Sequence, residues 1–176
     1  MIKRICVYGG PGSGKSTLTP QIFSGMKKKH YNVEYVGEWI KGWAVEGRTP
    51  EGFDQLYVLA KQVYMEESWL RNGIDYIVCE CPLLMNTAYA SWHKAPCANK
   101  YIEIAQAVEE IYPSLNFFID RTVPYVDAGR YQNEQQAHEF DEFLREFLNT
   151  HLKYEVSNIQ VDNLDHIMTQ VDGALN

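Results

Sequence analysis

The sequence predicts a single α/β domain of three layers, in which helices cover both faces of a five-stranded parallel sheet. Two observations predict this fold class. Short runs rich in β-branched and aromatic residues alternate with longer segments whose apolar residues recur every three or four positions. In addition, 45% of the 176 residues are hydrophobic, which is enough material for one buried core but not for two. We therefore expect residues 1–176 to form one domain.

Each predicted strand is a short apolar run. The predicted strands are Arg4–Tyr8, Val33–Val36, Tyr76–Cys79, Asn116–Ile119 and Asn158–Val161. Helical patterns lie between and after them, over residues 15–29, 50–71, 98–111, 134–151 and 164–174.

The helix predicted over residues 50–71 has the clearest end signals. Thr49 can cap its start, Pro50 suits the first helical position, and Gly73 follows its end. Its apolar residues keep the spacing of one helix face, so we expect them to be buried together. They are Phe53, Leu56, Tyr57, Ala60, Val63, Tyr64 and Leu70.

The composition limits the classes of function. A formal net charge of −7 opposes long-range attraction to nucleic acid, so any such contact needs a local basic patch. The chain has no apolar run long enough for a membrane span and no signal-peptide pattern after Met1, so we expect a cytoplasmic protein. The four cysteines form no C-x-x-C pair and are expected to be reduced. Nothing in the sequence indicates an oligomeric state.

Residues 9–16, GGPGSGKS, match the phosphate-binding pattern G-x-x-x-x-G-K-[ST] in full, and Thr17 follows. The context fits, since a buried strand ends at Tyr8 and a helix begins near Lys15. The glycines allow backbone N–H groups to turn inward around an anion, at the positive end of the helix. We therefore expect the phosphates of ATP to be bound by Gly10, Pro11, Gly12, Ser13, Gly14, Lys15, Ser16 and Thr17.

Two residues of this loop have predicted chemical roles. Lys15 would reach the β- and γ-phosphates, and the Ser16 hydroxyl would ligate Mg²⁺.

Pro20 conflicts with the helix that follows the loop, because a proline beyond the first turn removes a hydrogen bond. We expect an irregular start or a kink there.

Ligands of open α/β sheets collect at the carboxyl ends of the strands, where Glu38, Glu80 and Asp120 lie in this sequence. Glu80 follows the third strand, at the position of a Walker B acid that holds Mg²⁺ or touches the acceptor. Glu38 follows the second strand. Trp39 and Trp43 come after it, and a nucleobase could stack against their rings. Which of Glu38 and Glu80 is the general base stays open.

Arginines follow the fourth strand. Arg121 comes directly after Asp120, and Arg130 lies in the irregular stretch over residues 122–133. This stretch is predicted to be a lid that brings arginines to the transferring phosphoryl group. Surface ion pairs with Asp120, Asp127 or Glu134 are the alternative for both arginines.

With these residues in place, the chain resembles the nucleoside and nucleotide kinases among the P-loop proteins. The resemblance rests on GGPGSGKST, on Glu38-Trp39 and on the segment Arg130-Tyr131-Gln132. More narrowly, Glu80-Cys81-Pro82 followed by two leucines, and the helix that contains Gln55 and Lys61-Gln62, resemble small phage-type P-loop kinases. Their pattern has Asp-Ser-Pro where this chain has Glu-Cys-Pro, which leaves the role of Glu80 open.

The resemblance implies the P-loop NTPase fold with the kinase-type strand order, ATP and Mg²⁺ as cofactors, and phosphoryl transfer to a hydroxyl of a nucleoside-type acceptor. Some members of the narrower group phosphorylate 5-hydroxymethyluracil within phage DNA, which makes that base the specific acceptor implied. A free nucleoside or nucleotide is the alternative, favoured by the acidic composition. Adenine preference follows from the kinase class, with the loop 162–165 as the expected base contact.

A nucleotide-dependent switch or an ATPase is the alternative of another class. GTP-specific switches carry Asn-Lys-x-Asp, whereas Asn99-Lys100 is followed here by Tyr-Ile in a predicted helix. Motors of the AAA type need a second, helical domain, for which we expect this chain to be too short.

Overall fold

A computed structural model gives the structure of the protein, and it describes residues 1–122, 125 and 132–175. Within these residues the strands are β1 (Arg4–Tyr8), β2 (Val33–Val36), β3 (Tyr76–Cys79), β4 (Ser114–Ile119) and β5 (Val156–Ile159). The helices are α1 (Lys15–Lys28), α2 (Lys41–Val45), α3 (Asp54–Arg71), α4 (Leu83–Trp92), α5 (Ala98–Ile111), α6 (Glu134–His151) and α7 (Leu164–Leu175). Among the described residues, no helix combines the length and the hydropathy that a membrane span requires.

The strands form one parallel sheet in the order β2-β3-β1-β4-β5. This arrangement confirms the predicted α/β fold and its kinase-type strand order. Side chains of the central strand β1 alternate between the two faces, as the pleat of a strand requires. Ile5 and Val7 pack with residues of α1 and α7, whereas Cys6 and Tyr8 pack with residues of α3, α4, α5 and α6. Helices therefore cover both faces, and the domain has three layers.

The strand predictions are most accurate for the first three strands of the chain. Those for β1, β2 and β3 are confirmed to the residue, while β4 begins at Ser114, two residues before its predicted start. The prediction for β5 is two residues too late, because pairing with β4 sets its register, with Val156 opposite Asn116 and Ile159 opposite Ile119. Only Ile159 of this edge strand is fully buried, so its hydrophobic pattern is weak.

The buried face predicted for helix α3 was wrong. The helix begins at Asp54 after Phe53, so Thr49 and Pro50 do not form its start. Several residues predicted to be core are exposed, namely Phe53, Leu56, Tyr57 and Tyr64. The face that is buried instead contains Gln55, Val58, Leu59, Gln62 and Glu66.

Two helices were not predicted, and the proline expected to disturb α1 does not end this helix. Helix α2 has five residues, which is too short for a periodic pattern. Helix α4 is buried on nearly every side, so it lacks the polar face that such a pattern needs. Pro20 lies inside α1 without ending it, on an exposed position of the helix.

A buried ion cluster explains the polar face of α3. Arg4, fully buried at the start of β1, donates through Nε to Oε2 of Glu66 at 2.8 Å and through Nη1 to Glu109 of α5. Gln62 donates to the other oxygen of Glu66 at 3.2 Å, and Ser114 donates to Glu109 at 2.7 Å. Burial raises the pKa of Glu66, which the charge of Arg4 opposes. The cluster joins β1, α3, α5 and β4 across one face of the sheet.

Replacing Arg4 by methionine would leave two carboxylates buried without their cation. We expect Arg4→Met to lower the free energy of unfolding by about 3–5 kcal/mol, the usual cost of breaking a buried ion pair. Urea denaturation followed by circular dichroism measures it. The control is Lys100→Met, which removes an ion pair to Glu103. These two side chains are 63% and 59% exposed, so the substitution should change stability by less than about 0.5 kcal/mol. Equal effects of the two substitutions would contradict a structural role for the cluster.

Candidate active site

The loop between β1 and α1 is an open cradle of backbone N–H groups. Gly12 and Gly14 have φ of +75° and +102°, a backbone region in which other residues are strained. Within the described residues, the N–H groups of Gly12, Gly14, Lys15 and Ser16 donate to no protein acceptor. Grouped N–H donors at the start of a helix form an anion-binding site. The loop residues thus have the geometry that their sequence pattern predicts.

Lys15 lies over this loop. Its side chain is buried and donates to the carbonyl oxygens of Gly9 and Gly10 at 2.5 and 2.8 Å. Burial lowers the pKa of the Lys15 ammonium, and Glu38, Cys81, Glu80 and Asp141 oppose that shift. The predicted Glu38 and Glu80 are thus both close enough to act on the charge of Lys15.

Glu80 and Ser16 are in direct contact at the mouth of the loop. The Ser16 hydroxyl donates to Oε1 of Glu80, and the Tyr35 hydroxyl of β2 donates to Oε2. The parallel pairing of Cys6 with Cys79 brings the ends of β1 and β3 together, and Glu80 N–H still donates to Val36 at 2.9 Å. Desolvation, and then the bond to Glu80, raise the pKa of Tyr35. Glu80 is consequently buried with both oxygens bound.

A second carboxylate reaches the loop from α6. Oδ1 of Asp141 accepts from Gly10 N–H at 2.5 Å, and its Oδ2 accepts from Nε and Nη2 of Arg121 at 2.9 and 2.7 Å. Arg121 therefore lies at the loop, with a partner that the sequence reasoning did not name, and its role at the transferring phosphoryl group stays a prediction. Asp120, one of the predicted partners, instead pairs with Arg145 of α6. Arg130 and most of the predicted lid lie outside the described residues.

Aromatic rings and cations lie next to Glu38. Trp39 is 5.2 Å from both Trp43 and Tyr57 between ring centroids, and Trp43 stacks on Tyr57 at 6.1 Å. The guanidinium of Arg48 lies 3.4 Å from the centroid of Trp43, and the ammonium of Lys61 lies 5.5 Å from that of Tyr57. We call these five residues the aromatic-basic cluster. Tyr57, predicted to be a core residue, belongs to this cluster and is 47% exposed.

A cavity of about 470 Å³ opens on the other side of the loop. It lies between α1, the segment after β4 and the segment after β5, where the base contact was expected. Its lining residues are Gln21, Thr122, Val161, Asp162 and Leu164. Val161 also borders the loop, since a Cβ added to Gly14 would lie 2.5 Å from its Cγ2.

Comparison with known proteins identifies the family. A family model described as an AAA domain, AAA_28, matches residues 4–165. The chain belongs to the AAA_28 family. Among curated proteins, none matches this sequence. Among solved structures, the deoxyadenosine kinase from M. mycoides with bound dATP is similar, with a TM-score of 0.58 and 17% sequence identity over 97% of this chain and 99% of that one. At this identity, the AAA_28 chain and the kinase share the fold.

Three residues of the site were given no role from the sequence. Tyr35 and Asp141 had no local signal, because each contacts the site across a large sequence separation, 131 residues between Gly10 and Asp141. Lys41 was visible as a charged residue shortly after Glu38, and its Nζ lies 3.3 Å from the Ser16 hydroxyl.

The loop geometry predicts a specific sensitivity to an added methyl group. We expect Gly14→Ala to lower the free energy of unfolding by about 1–3 kcal/mol, because φ is positive there and the methyl meets Val161. Gly42→Ala is the control, since nothing lies within 4 Å of a Cβ at that position of α2. Urea denaturation of both variants measures the difference. An unchanged midpoint for Gly14→Ala would contradict the loop conformation.

Proposed function

We propose that this AAA_28 protein is a kinase that binds Mg-ATP and transfers the γ-phosphoryl group to a hydroxyl of a nucleoside-type acceptor. One observation carries the proposal. The hydroxyl of Ser16 contacts the carboxylate of Glu80 directly beside the four N–H groups of the loop. A metal-ligating hydroxyl, an acid and an anion cradle thus meet at one point, which is the arrangement that phosphoryl transfer uses.

The loop and two cations would bind the polyphosphate of ATP. The N–H groups and the positive end of α1 suit phosphate oxygens, and Lys15 can leave the carbonyls it now contacts for the β- and γ-phosphates. Arg121, held at the loop by Asp141, adds a second cation for the transferring group. The cavity lined by Val161 and Asp162 has the position expected for the adenine base.

The residues at the mouth of the loop fit Mg²⁺. Ser16 and Glu80 supply the hard oxygen donors that Mg²⁺ prefers. Within the described residues, no cluster of three or more acidic, histidine or cysteine side chains could hold a metal alone. Mg²⁺ is commonly held by one or two protein oxygens together with substrate phosphates and water. When bound, the ion would neutralise charge on the transferring phosphate.

We assign the general base to Glu38. Glu80 contacts the hydroxyl of Ser16, the proposed ligand of Mg²⁺, so we assign Glu80 to the metal side of the site. Glu38 lies at the end of β2, next to the aromatic-basic cluster on which an acceptor base could stack. A carboxylate there can take the proton of the attacking hydroxyl.

The acceptor is proposed to carry a nucleobase. The flat rings of Trp39, Trp43 and Tyr57 supply stacking surface, and Arg48 and Lys61 suit phosphate at its rim. The resemblance to phage-type kinases supports 5-hydroxymethyluracil in DNA, whereas the fold shared with a deoxyadenosine kinase supports a free nucleoside. Incubation with ATP and either acceptor, followed by digestion and mass spectrometry, separates these candidates.

Lys15→Ala tests the assignment of the phosphate loop. We expect transfer of ³²P from γ-labelled ATP to fall by about 10²–10³-fold, the usual loss when one charge-stabilising donor is removed. The melting temperature must stay near that of the wild type for the result to count. The matched control is Lys94→Ala, an exposed lysine in the turn after α4. Transfer at the wild-type rate by Lys15→Ala would refute the proposal.

Tyr57→Ala tests the acceptor surface. Loss of one stacking ring should raise the KM for the acceptor by about 5- to 100-fold, which corresponds to about 1–3 kcal/mol for base stacking. The KM for ATP should stay unchanged. Tyr64→Ala is the control, since Tyr64 is a 62% exposed tyrosine on the same helix outside the aromatic-basic cluster. If both variants change acceptor KM equally, the cluster is not the acceptor site.

A second candidate function is ATP hydrolysis without transfer, which the description of the family as an AAA domain favours. The two candidates differ in their products. Release of inorganic phosphate at a constant rate, unaffected by any nucleoside or DNA acceptor, would support the hydrolase.

A further inference from the structure

Asp141 contacts two parts of the proposed phosphate site at once. One oxygen accepts from the N–H of Gly10, and the other accepts from two nitrogens of Arg121. The side chains of Arg121 and Asp141 are 8% and 13% exposed, so water screens this ion pair little. Asp141 therefore ties α6 to the loop and to the arginine together.

The remaining terminal nitrogen of Arg121 borders the loop. Nη1 is buried and, among the described residues, has no hydrogen-bond partner. A Cβ placed on Gly12 would lie 3.3 Å from Nη1, so this nitrogen is close to the backbone of the cradle. A buried charged donor without an acceptor is costly, which points to an anionic ligand at this position.

We infer that Asp141 is a positioning residue, which fixes two nitrogens of the Arg121 guanidinium so that Nη1 faces the phosphates held by the loop. The inference rests on the proposed function. The guanidinium is planar and rigid, so holding Nε and Nη2 determines the direction of Nη1. Asp141 would then act on the nucleotide through Arg121 without touching it.

A second ion pair between the same parts of the chain provides a matched control. Arg145 of α6 pairs with Asp120, which precedes Arg121, but these side chains are 39% and 43% exposed. Arg145 also donates to Asn158 at 2.7 Å and lies over the ring of Phe118. Asp120→Asn thus removes a similar charge near Arg121 and leaves the ion pair of Arg121 with Asp141 intact.

The test is a double-mutant cycle on ATP affinity. Calorimetry would compare the dissociation constants of the wild type, Asp141→Asn, Arg121→Met and the double variant. We expect Arg121→Met to weaken ATP binding by about tenfold or more, the value of a hydrogen bond to a charged group. Asp141→Asn should weaken it by a smaller factor, and the double variant should bind like Arg121→Met. Asp120→Asn should bind ATP like the wild type.

Several outcomes would overturn the inference. The first is tighter ATP binding by Asp141→Asn, because the carboxylate would then compete with the nucleotide. The second is additive effects of Asp141→Asn and Arg121→Met in the cycle. The third is a loss of ATP affinity in Asp120→Asn equal to that in Asp141→Asn. If Asp141→Asn melts too low to assay, Asp141→Glu replaces it, because it keeps the charge but moves the carboxylate. A wild type that binds ATP but phosphorylates no acceptor contradicts the proposed function alone, since the cycle depends only on binding.

Discussion

Strand β1 is fixed along both edges and at both ends, and the geometry of the site depends on this constraint. It pairs with β3 on one side and β4 on the other, so its position relative to both neighbours is set by two ladders of hydrogen bonds. At its start, Arg4 is held by buried carboxylates from α3 and α5. At its end the chain enters the glycine loop. Ser16 and Glu80 therefore meet because the ends of β1 and β3 cannot shift apart.

The charges around the loop are balanced locally. Glu38, Glu80 and Asp141 all act on Lys15, opposing the effect of burial on its pKa. Such a set of carboxylates would repel a polyphosphate if their charge were uncompensated. Asp141 is paired with Arg121, however, and the oxygens of Glu80 accept from two hydroxyls. A divalent cation bound beside Glu80 would offset the charge that the two neutral hydroxyls leave on this carboxylate, which agrees with Mg-ATP as the proposed ligand.

The sequence was informative where one local pattern determines the structure. Strands β1, β2 and β3 were predicted to the residue because each is a short run rich in β-branched and aromatic residues, and the glycine loop because its spacing is specific. The prediction of the buried face of α3 was wrong because apolar periodicity was assumed to mark the core. Its inner face carries Gln62 and Glu66, which are needed to pair with Arg4 from another element. Asp141 was missed for the same reason, since its partners come from distant parts of the chain.

Net charge is a poor guide to the acceptor of this protein. The chain carries a formal charge of −7, which favours a neutral substrate when the molecule is treated as a whole. At physiological salt, however, exposed charges interact over only about 8 Å, so remote carboxylates act weakly on the aromatic-basic cluster. Within that range, Arg48 lies on Trp43 and Lys61 on Tyr57. Arg48 is also paired with Asp54, whose Oδ2 lies 3.5 Å from its Nη2. Cations and a carboxylate thus lie together at the cluster, so the formal charge of the whole chain does not describe the local field that an acceptor meets there.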